Sequence, residues 1–263
     1  MVSVAAMIGA VAACWRYPVK SMQGMGVEFL DVHHDCIVGD RAWGLIDVET
    51  GKLASAKRFA TLLMAAADDE SIRLPDGRSF PLDSPDADAL LSAYLDRPVR
   101  LVRPARHERQ VYEMTFDPPN DDAELVNIPT PVGTFLDGAP VHLVMTSTLD
   151  WCKQQRPELD WDIRRFRPNI VLDYDGPPFA ENDWASTRCS IGDAILTVRQ
   201  PTVRCAMPLR AQPGLDRQPA MFEAMSALNF AFPNHVGIYL DVTQPGVINV
   251  GDPLVLHSGP GIV

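Results

Sequence analysis

The sequence lacks the short motifs by which many enzyme families are recognised. Its 263 residues contain no GxGxxG or GxxxxGKS/T phosphate loop, no HExxH zinc motif and no GxSxG nucleophile turn. The six histidines are scattered, and the one adjacent pair, His33 and His34, points to opposite faces if it lies on a strand. The sequence therefore does not favour a zinc site or any of these familiar catalytic patterns.

Basic residues are also scarce. Lysine and arginine number 23 against 34 aspartate and glutamate residues, which gives a formal charge of −11 and a pI near 4.9. A surface of this sign repels the phosphates of nucleic acid, so no nucleic-acid partner is expected. A small basic pocket that binds one anionic ligand is compatible with the same charge balance.

Cysteines are few, and no run of residues is long enough to span a membrane. The five cysteines form no CxxC pair, and an odd number with wide spacing is typical of a reducing compartment, so we expect a cytoplasmic protein. The apolar segment 1–13 is too short for a transmembrane helix, and no basic residue precedes Arg16, as a secretory signal would require. We expect a buried first strand here. Residues 11–14 resemble a lipoprotein cleavage box, which leaves a lipoprotein as the alternative.

The residues that are abundant indicate an ordered, strand-rich protein. Apolar residues make up 46% and charged residues 22%, and the 23 prolines and 17 glycines predict many turns. Helices are predicted over 86–95, over 151–155 with a cap near 146, and over 219–228. Strands are predicted over 25–32, 41–48, 62–67 (where a helix is the alternative), 99–102, 141–145, 169–172, 194–198, 236–242 and 254–256.

Strands dominate both halves of the chain, without the strand–helix alternation of a doubly wound sheet. The expected fold class is therefore mainly β (α+β), with two small β-rich domains of which at least one is a barrel. The segment 103–124 carries charges of both signs followed by a proline-rich stretch, which predicts a linker or long loop. The predicted division is residues 1–116 and residues 117–263.

Basic and polar residues recur where predicted strands end. These positions are Lys20, Ser21, Arg41, Lys57, Arg58, Arg164, Arg165 and Arg167. Clustered lysine and arginine side chains bind phosphate through charge-assisted hydrogen bonds, so these residues can converge on one anion. The alternative is that each is a solvated loop charge. Cys205 follows a predicted strand and has a proline on either side, which makes it the cysteine best placed to present a thiolate to a ligand.

Several motifs resemble, in order and spacing, those of the MOSC-domain proteins. They are YPVKS at 17–21, GDRAW at 39–43, SAK at 55–57, FRPNI at 166–170, IGD at 191–193, RC at 204–205 and PGVINVGDP at 245–253. The sequence most resembles the two-domain kind that carries a MOSC N-terminal β-barrel domain. The mitochondrial amidoxime-reducing component and bacterial N-hydroxylated-base reductases are of this kind, and the resemblance runs nearly end to end.

The resemblance implies a molybdenum cofactor held between the two domains, of which the C-terminal one is the MOSC β-barrel. In this family the cysteine of the RC motif ligates molybdenum, which implies that role for Cys205. A soft thiolate suits a metal that the pterin already holds by two sulfurs. The cofactor-binding residues that the resemblance implies are Lys20, Ser21, Arg41, Lys57, Arg58, Asp137, Gly138, Ala139, Arg167, Asn169 and Tyr239.

The activity that the resemblance implies is two-electron reduction of a small N-hydroxylated substrate by oxygen removal, with molybdenum carrying the redox chemistry. We expect no appended ferredoxin-like domain of the kind that some bacterial relatives carry, and we therefore expect electrons from a separate donor protein. Two alternatives remain open: a sulfur carrier or transferase with a persulfide on Cys205, and a non-catalytic cofactor-binding or storage protein. Pyridoxal phosphate is not expected, because no Schiff-base lysine motif is present.

Two departures from the reductases fall on the implied site. Lys57-Arg58 stands where those proteins usually carry arginine followed by glutamine, which keeps a charge but changes its geometry. After Cys205 the chain reads AMPLRAQPG over 206–214, in place of the pattern IxTTxDPxTG. Because this loop follows the implied metal ligand, the substrate class is left open.

Overall fold

The computed structural model describes residues 5–120 and 122–257, and within them the chain is mainly β. The strands are β1 (Ala5–Arg16), β2 (Met25–Val27), β3 (Phe29–Val32), β4 (Gly44–Asp47), β5 (Leu53–Ala54), β6 (Ala66–Ala67), β7 (Ser71–Arg73), β8 (Ser79–Pro81), β9 (Val99–Val102), β10 (Val111–Met114), β11 (Val126–Pro129), β12 (Val141–Met145), β13 (Ile170–Asp173), β14 (Arg188–Ile191), β15 (Ala194–Val203), β16 (His235–Gln244), β17 (Gly246–Asn249) and β18 (Pro253–His257). The α-helices are α1 (Ala87–Leu95), α2 (Thr146–Gln155), α3 (Ile163–Phe166) and α4 (Ala220–Leu228). Short 3-10 helices span Ala60–Met64, Ala180–Trp184 and Met207–Leu209.

Seven strands in the described residues close into a barrel. Their order is β13-β12-β16-β15-β14-β18-β1, pairing of β1 with β13 closes the ring, and β2 extends the sheet beside β1. Within the ring β12 and β13 are parallel, and the other pairs are antiparallel. Along β15 the side chains of Ala194, Leu196 and Val198 are buried while those between them are partly exposed. This alternation places every second side chain in the barrel core.

The N-terminal half forms smaller sheets around a second core. One sheet has the order β11-β10-β5-β4-β9 and another the order β6-β7-β8. Strand β3 pairs instead with β17, and Leu30 and Ile248 of that pair lie in the barrel core. Apolar residues from the sheets and from α1, among them Leu45, Ile72 and Leu91, fill this core. Cys205 and Met207 of the C-terminal half pack against the same core. The two halves are therefore in contact at the loop that carries Cys205.

Strand β1 belongs to the barrel rather than to the N-terminal sheets. Its register pairs Met7 with Val255 of β18 and Val11 with Leu172 of β13. A first strand is present over Ala5–Arg16, and residues 1–4 of that prediction lie outside the described residues. The expectation that it is buried is wrong: Val11 and Cys14 face the core, but Met7 is 69% exposed, because a barrel strand turns part of its side chains outward. The barrel thus combines the first strand of the chain with strands from its second half. Dividing the chain at one position therefore separates β1 from the barrel to which it belongs. The predicted division near residue 116 stays a prediction.

The mainly β architecture with a barrel and few helices is confirmed. The predicted helices appear as α1, α2 and α4, and the ambiguous segment 62–67 divides between a 3-10 helix and β6. The predicted linker contains a regular strand, β10, because the buried Tyr112 pairs with Leu53 of β5. That pairing is a tertiary effect that local composition does not show. None of the helices that the structure describes is long and apolar enough to cross a membrane.

Candidate functional site

The candidate site is a pocket between the barrel and the N-terminal sheets. Its walls come from the segment after β1, the turns before β4 and after β5, the segment before β12, and the ends of α3 and β15. It encloses about 70 Å³ and opens to solvent. Ten of the predicted site residues line it, namely Lys20, Ser21, Arg41, Lys57, Asp137, Ala139, Arg167, Asn169, Cys205 and Tyr239. Segments far apart in sequence therefore meet at one place.

Asp137 holds two lysines at one end of the pocket. Lys20 Nζ donates to Asp137 Oδ1 at 2.6 Å and to the Phe135 carbonyl at 2.7 Å, and Lys57 Nζ lies 2.8 Å from Asp137 Oδ1. The two ammonium nitrogens lie 5.0 and 3.9 Å from the ring centroid of Tyr112. Burial alone would raise the pKa of Asp137, but the lysines hold that pKa well below its usual range. Burial lowers the pKa of Lys20 to about 8 against the pull of Asp137. Near neutral pH the cluster carries a net positive charge.

The phenol ring of Tyr17 lies between two guanidinium groups. The Cζ atoms of Arg41 and Arg167 are 4.5 and 4.1 Å from its centroid. Arg41 pairs with Asp40, which also accepts the Tyr17 N–H at 2.8 Å, and Arg167 Nη1 donates to the Met22 carbonyl at 2.7 Å. Burial, reinforced by the charge of Arg41, lowers the pKa of Arg167 to about 10. The ring contacts offset part of the cost of burying two like charges.

Three pocket residues have backbone conformations in the left-handed region. The φ angle is 71° at Ser21, 46° at Arg41 and 53° at Arg167. Such a conformation costs about 1–3 kcal/mol in a non-glycine residue and persists where surrounding contacts hold it. Here Ser21 Oγ accepts the Ala56 N–H at 3.0 Å, and the Arg41 N–H donates to the Tyr17 carbonyl at 2.8 Å. Backbone strain of this kind is typical of a binding site.

Arg204 lies next to Cys205 in the chain and is oriented by His142. Arg204 Nη1 is 3.4 Å from His142 Nε2, and Arg204 Nη2 donates to the Phe166 carbonyl at 2.8 Å. Because a guanidinium group has only donors, His142 Nε2 is the acceptor, and the ring proton sits on Nδ1, 3.5 Å from the Arg167 carbonyl. Burial, followed by the charge of Arg204, holds the pKa of His142 well below its usual range. Neutral His142 thus fixes the guanidinium beside the thiol.

The pocket has a surplus of positive charge. Among the described residues its lining holds one carboxylate, Asp137, and five basic side chains, which are Lys20, Arg41, Lys57, Arg167 and Arg204. Arg167 Nη2 and Arg204 Nε are buried and find no hydrogen-bond partner in the described part of the chain. These two side chains are only 6% and 8% exposed. Buried donors without partners are costly, so this arrangement favours an anionic ligand.

The donor set fits the phosphate-bearing pterin that the sequence implies. Charged donors suit the phosphate, and the partly exposed thiol of Cys205 is a soft ligand of the kind that molybdenum takes. No group of three histidine, cysteine or acidic side chains within residues 5–120 and 122–257 is arranged to hold a metal ion. Ligand sites typically measure about 300–1,000 Å³. The pocket by itself is smaller than this range.

Two of the predicted residues also have structural contacts. Asn169 is a structural bridge, since its Oδ1 accepts the His142 N–H at 3.2 Å and its Nδ2 donates to the Trp15 carbonyl at 3.3 Å. Gly138 lies behind the pocket wall, where a Cβ atom would come within 2.9 Å of the Tyr239 ring. The absence of a side chain there lets the ring approach closely. The parts that the pocket-lining residues play in cofactor binding stay predictions.

Arg58, unlike the other predicted basic residues Lys20, Arg41, Lys57 and Arg167, does not line the pocket. It pairs with Glu113, which also binds Lys52 Nζ at 2.6 Å, and it lines a separate small cavity. The physical reason is the turn after β5, in which Lys57 faces Asp137 and the next residue faces the carboxylate of β10. The basic pair in the sequence is thus divided between two sites.

The loop that follows Cys205 is held from both halves of the molecule. Arg165 has no exposed surface and donates to the carbonyls of Pro208 at 3.0 Å and Arg210 at 3.2 Å. Arg210 Nη2 in turn donates to the Lys57 carbonyl at 2.9 Å. The loop that departs from the family pattern is therefore held in place beside the site, and Met207 of this loop lines the pocket. Arg165 organises this loop instead of contributing to the pocket lining.

Four residues that shape the site were missed as site residues. Tyr17 and Arg204 lie inside the recognised motifs, so the sequence carried a signal for both. His142 is the one polar residue of the buried strand β12, which is also a readable signal. Tyr112 lies in the predicted linker, where nothing local indicates its role. Arg164, one of the basic residues at predicted strand ends, does not line the pocket and pairs with Asp162, the aspartate that caps α3.

Several solved structures are similar to this chain. The YUAD protein from Bacillus subtilis is 11% identical, covers 98% of this chain and 100% of its own, and has a TM-score of 0.47. YiiM from Geobacillus stearothermophilus is 20% identical over 57% of this chain and 73% of its own, with a TM-score of 0.36. YiiM from Escherichia coli is 17% identical over 48% of this chain and 57% of its own, with a TM-score of 0.34. No curated protein matches the sequence.

Two protein families match the sequence itself, and their matched regions together span most of it. The MOSC N-terminal beta barrel domain matches residues 8–103. The MOSC domain matches residues 131–255, a range that contains five strands of the barrel, the first part of β18, and Cys205. The chain belongs to the MOSC-domain proteins that carry a MOSC N-terminal beta barrel domain.

Proposed function

We propose that this protein binds a molybdenum cofactor and reduces small N-hydroxylated compounds by two electrons. The observation that carries the proposal is the basic surplus beside Cys205, with Arg167 Nη2 and Arg204 Nε buried and unpartnered among the described residues. In the reaction the substrate takes up two electrons and two protons, its N–O bond breaks, and the products are the amine or amidine and water. A separate electron-donor protein supplies the electrons, and the bound cofactor supplies the two-electron redox chemistry.

The side chains have distinct parts in this proposal. The Cys205 thiolate is the molybdenum ligand, and Arg204, oriented by His142, lies beside it. The cofactor-binding residues are Lys20, Ser21, Arg41, Lys57, Ala139, Arg167, Asn169 and Tyr239. Asp137 keeps the two lysines in place by accepting from both. Because His142 Nε2 accepts from Arg204, it is not the atom that delivers a proton to the substrate.

The test is the full chain produced in a host that makes the cofactor. We expect molybdenum and pterin at about one per chain, and reduction of an amidoxime or hydroxylamine by reduced methyl viologen. Cys205→Ser should lose the activity and most of the molybdenum. Cys36→Ser is the matched control, because Cys36 is also partly exposed but lies away from the pocket. It should retain both the activity and the metal.

Other outcomes decide between the alternatives. A metal-free protein with labile sulfur on Cys205 would refute the reductase and support a sulfur carrier. Stoichiometric cofactor without reduction of either substrate class would support a storage protein. The proposal includes a cytoplasmic location, which the five free cysteines support. The proposal also includes a division of the chain into two domains near residue 116, with β1 as an N-terminal strand that belongs to the barrel of the second domain.

A further inference from the structure

A larger groove lies next to the pocket. Its volume is about 640 Å³, and it shares Leu136, Asp137 and Ala139 with the pocket lining. Arg106 and Arg109, from the segment between β9 and β10, also line it. A small molecule whose reacting end lies at the pocket mouth therefore has this groove beside it for its other end.

The two arginines are carried by an anchored segment. Backbone hydrogen bonds of 2.8 Å join Gly133 N–H to the Glu108 carbonyl and Thr130 N–H to the Gln110 carbonyl. Arg109 Nη1 donates to the Thr130 carbonyl at 3.1 Å, which leaves its other N–H groups open to a ligand. The Arg106 side chain makes no hydrogen bond or ion pair within the described residues. Arginine donors held in this way suit a carboxylate.

The groove is positive despite the acidity of the chain. Its third arginine, Arg199, is neutralised by Asp241, and Asp137 is already paired with the lysines of the pocket. The two remaining arginines therefore face one unpaired carboxylate, Asp35, among the described lining residues. By contrast a second groove, of about 520 Å³, carries three acids and one arginine, as a net charge of −11 leads one to expect. The positive groove is the one that adjoins the site.

We infer that the groove receives the anionic end of the substrate, and that the substrate class is therefore carboxylate-bearing N-hydroxylated compounds. This inference rests on the proposed function. Arg106 and Arg109 would bind the carboxylate while the N-hydroxy group lies at the pocket beside Cys205. Both arginines are exposed, so each contributes modestly, and together they should favour the anionic substrate by about fivefold to tenfold.

The test compares two amidoximes of the same shape with the cofactor-loaded full chain and reduced methyl viologen. 4-Carboxybenzamidoxime carries the anion, and 4-carbamoylbenzamidoxime is its neutral counterpart. We expect kcat/KM to favour the carboxylate by about fivefold to tenfold, and the preference to fall towards one in Arg106→Gln/Arg109→Gln. The neutral substrate should be unaffected. Arg103→Gln is the control, because Arg103 is exposed in the same segment but lies over Trp43 in the acidic groove.

Calorimetry with the two product amidines provides a readout that does not depend on turnover. The wild type should bind 4-carboxybenzamidine about fivefold to tenfold more tightly than 4-carbamoylbenzamidine, and the double variant should bind both alike. Equal kcat/KM for the two amidoximes, or a preference that the double variant keeps, overturns the inference and leaves the proposed function standing. If neither amidoxime is reduced, the proposed function fails. The calorimetry then shows separately whether the groove binds the carboxylate. A double variant that loses molybdenum or pterin shows that the groove holds the cofactor, which also overturns the inference.

Discussion

The buried carboxyl group of Glu181 should make the fold less stable as the pH rises from about 4.5 to about 7. Glu181 has no exposed surface, and its two oxygens lie 3.1 and 3.2 Å from Thr148 Oγ1. The same hydroxyl accepts the Phe179 N–H at 2.9 Å, so its single proton serves both carboxylate oxygens. No cation among the described residues compensates the charge. Burial therefore raises the pKa of Glu181 from 4.5 to about 7.

The sign of the effect follows from proton linkage. A group whose pKa is higher in the folded state binds protons more tightly there, so protonation favours folding. The contribution of Glu181 is complete below pH 4.5 and is lost as the pH rises through about 7. The difference between the two pKa values corresponds to about 3 kcal/mol. Glu181→Gln keeps the shape and stays neutral. Its unfolding free energy relative to wild type should therefore rise by about 2–3 kcal/mol between about pH 5 and about pH 8.

Urea denaturation of both proteins at the two pH values measures this change. Taking the difference between variant and wild type removes the pH dependence of all other groups. Asp183→Asn, at an exposed position of the same 3-10 helix, is the matched control and should change by less than about 0.5 kcal/mol. If the advantage of Glu181→Gln is the same at both pH values, the carboxyl group titrates normally and the reasoning is refuted.

Three further predictions concern the site. Asp137→Asn leaves Lys20 and Lys57 without their carboxylate, and since Asp137 is 39% exposed we expect a loss of only about 1–2 kcal/mol in urea denaturation. Added inorganic phosphate should restore part of that stability, and no restoration would contradict an anion site. Lys57→Gln should lower the molybdenum content of the purified protein whereas Arg58→Gln should not, and equal losses would contradict the pocket boundary. Arg165→Met leaves several carbonyls without their donor and should lower the unfolding free energy by about 2–4 kcal/mol, and a loss below about 0.5 kcal/mol would show that these bonds matter little.

The strands and the motif positions could be predicted because their signals are local. A run such as β15, with every second residue apolar, has one face to bury whatever its partner is. The motifs at Lys20, Arg41 and Arg167 coincide with strand ends, and the folded chain brings those ends to one pocket. The order of strands in the barrel could not be predicted, because the register of β1 with β13 and β18 depends on contacts distant in sequence.

The orientation of the site side chains could not be predicted either. Ser21, Arg41 and Arg167 adopt left-handed backbone that their residue types do not favour. Their conformations depend on hydrogen bonds from other segments, such as the Ala56 N–H on Ser21 Oγ. Lys57 faces the pocket and its neighbour faces away because two carboxylates lie on opposite sides of the turn. These backbone conformations and side-chain orientations depend on contacts with residues distant in sequence, which a local sequence pattern does not show.

The charge of the site depends on which cations the fold leaves without a carboxylate. Most described arginines near acids are paired, as Arg97 is with Asp47, and such pairs add little net field. The net charge of −11 sums over all of these and predicts a negative surface. In the pocket lining two guanidinium nitrogens, on Arg167 and Arg204, are buried with no described partner. Because a buried donor without an acceptor costs free energy, these two nitrogens favour an anionic ligand in the pocket that Cys205 also lines.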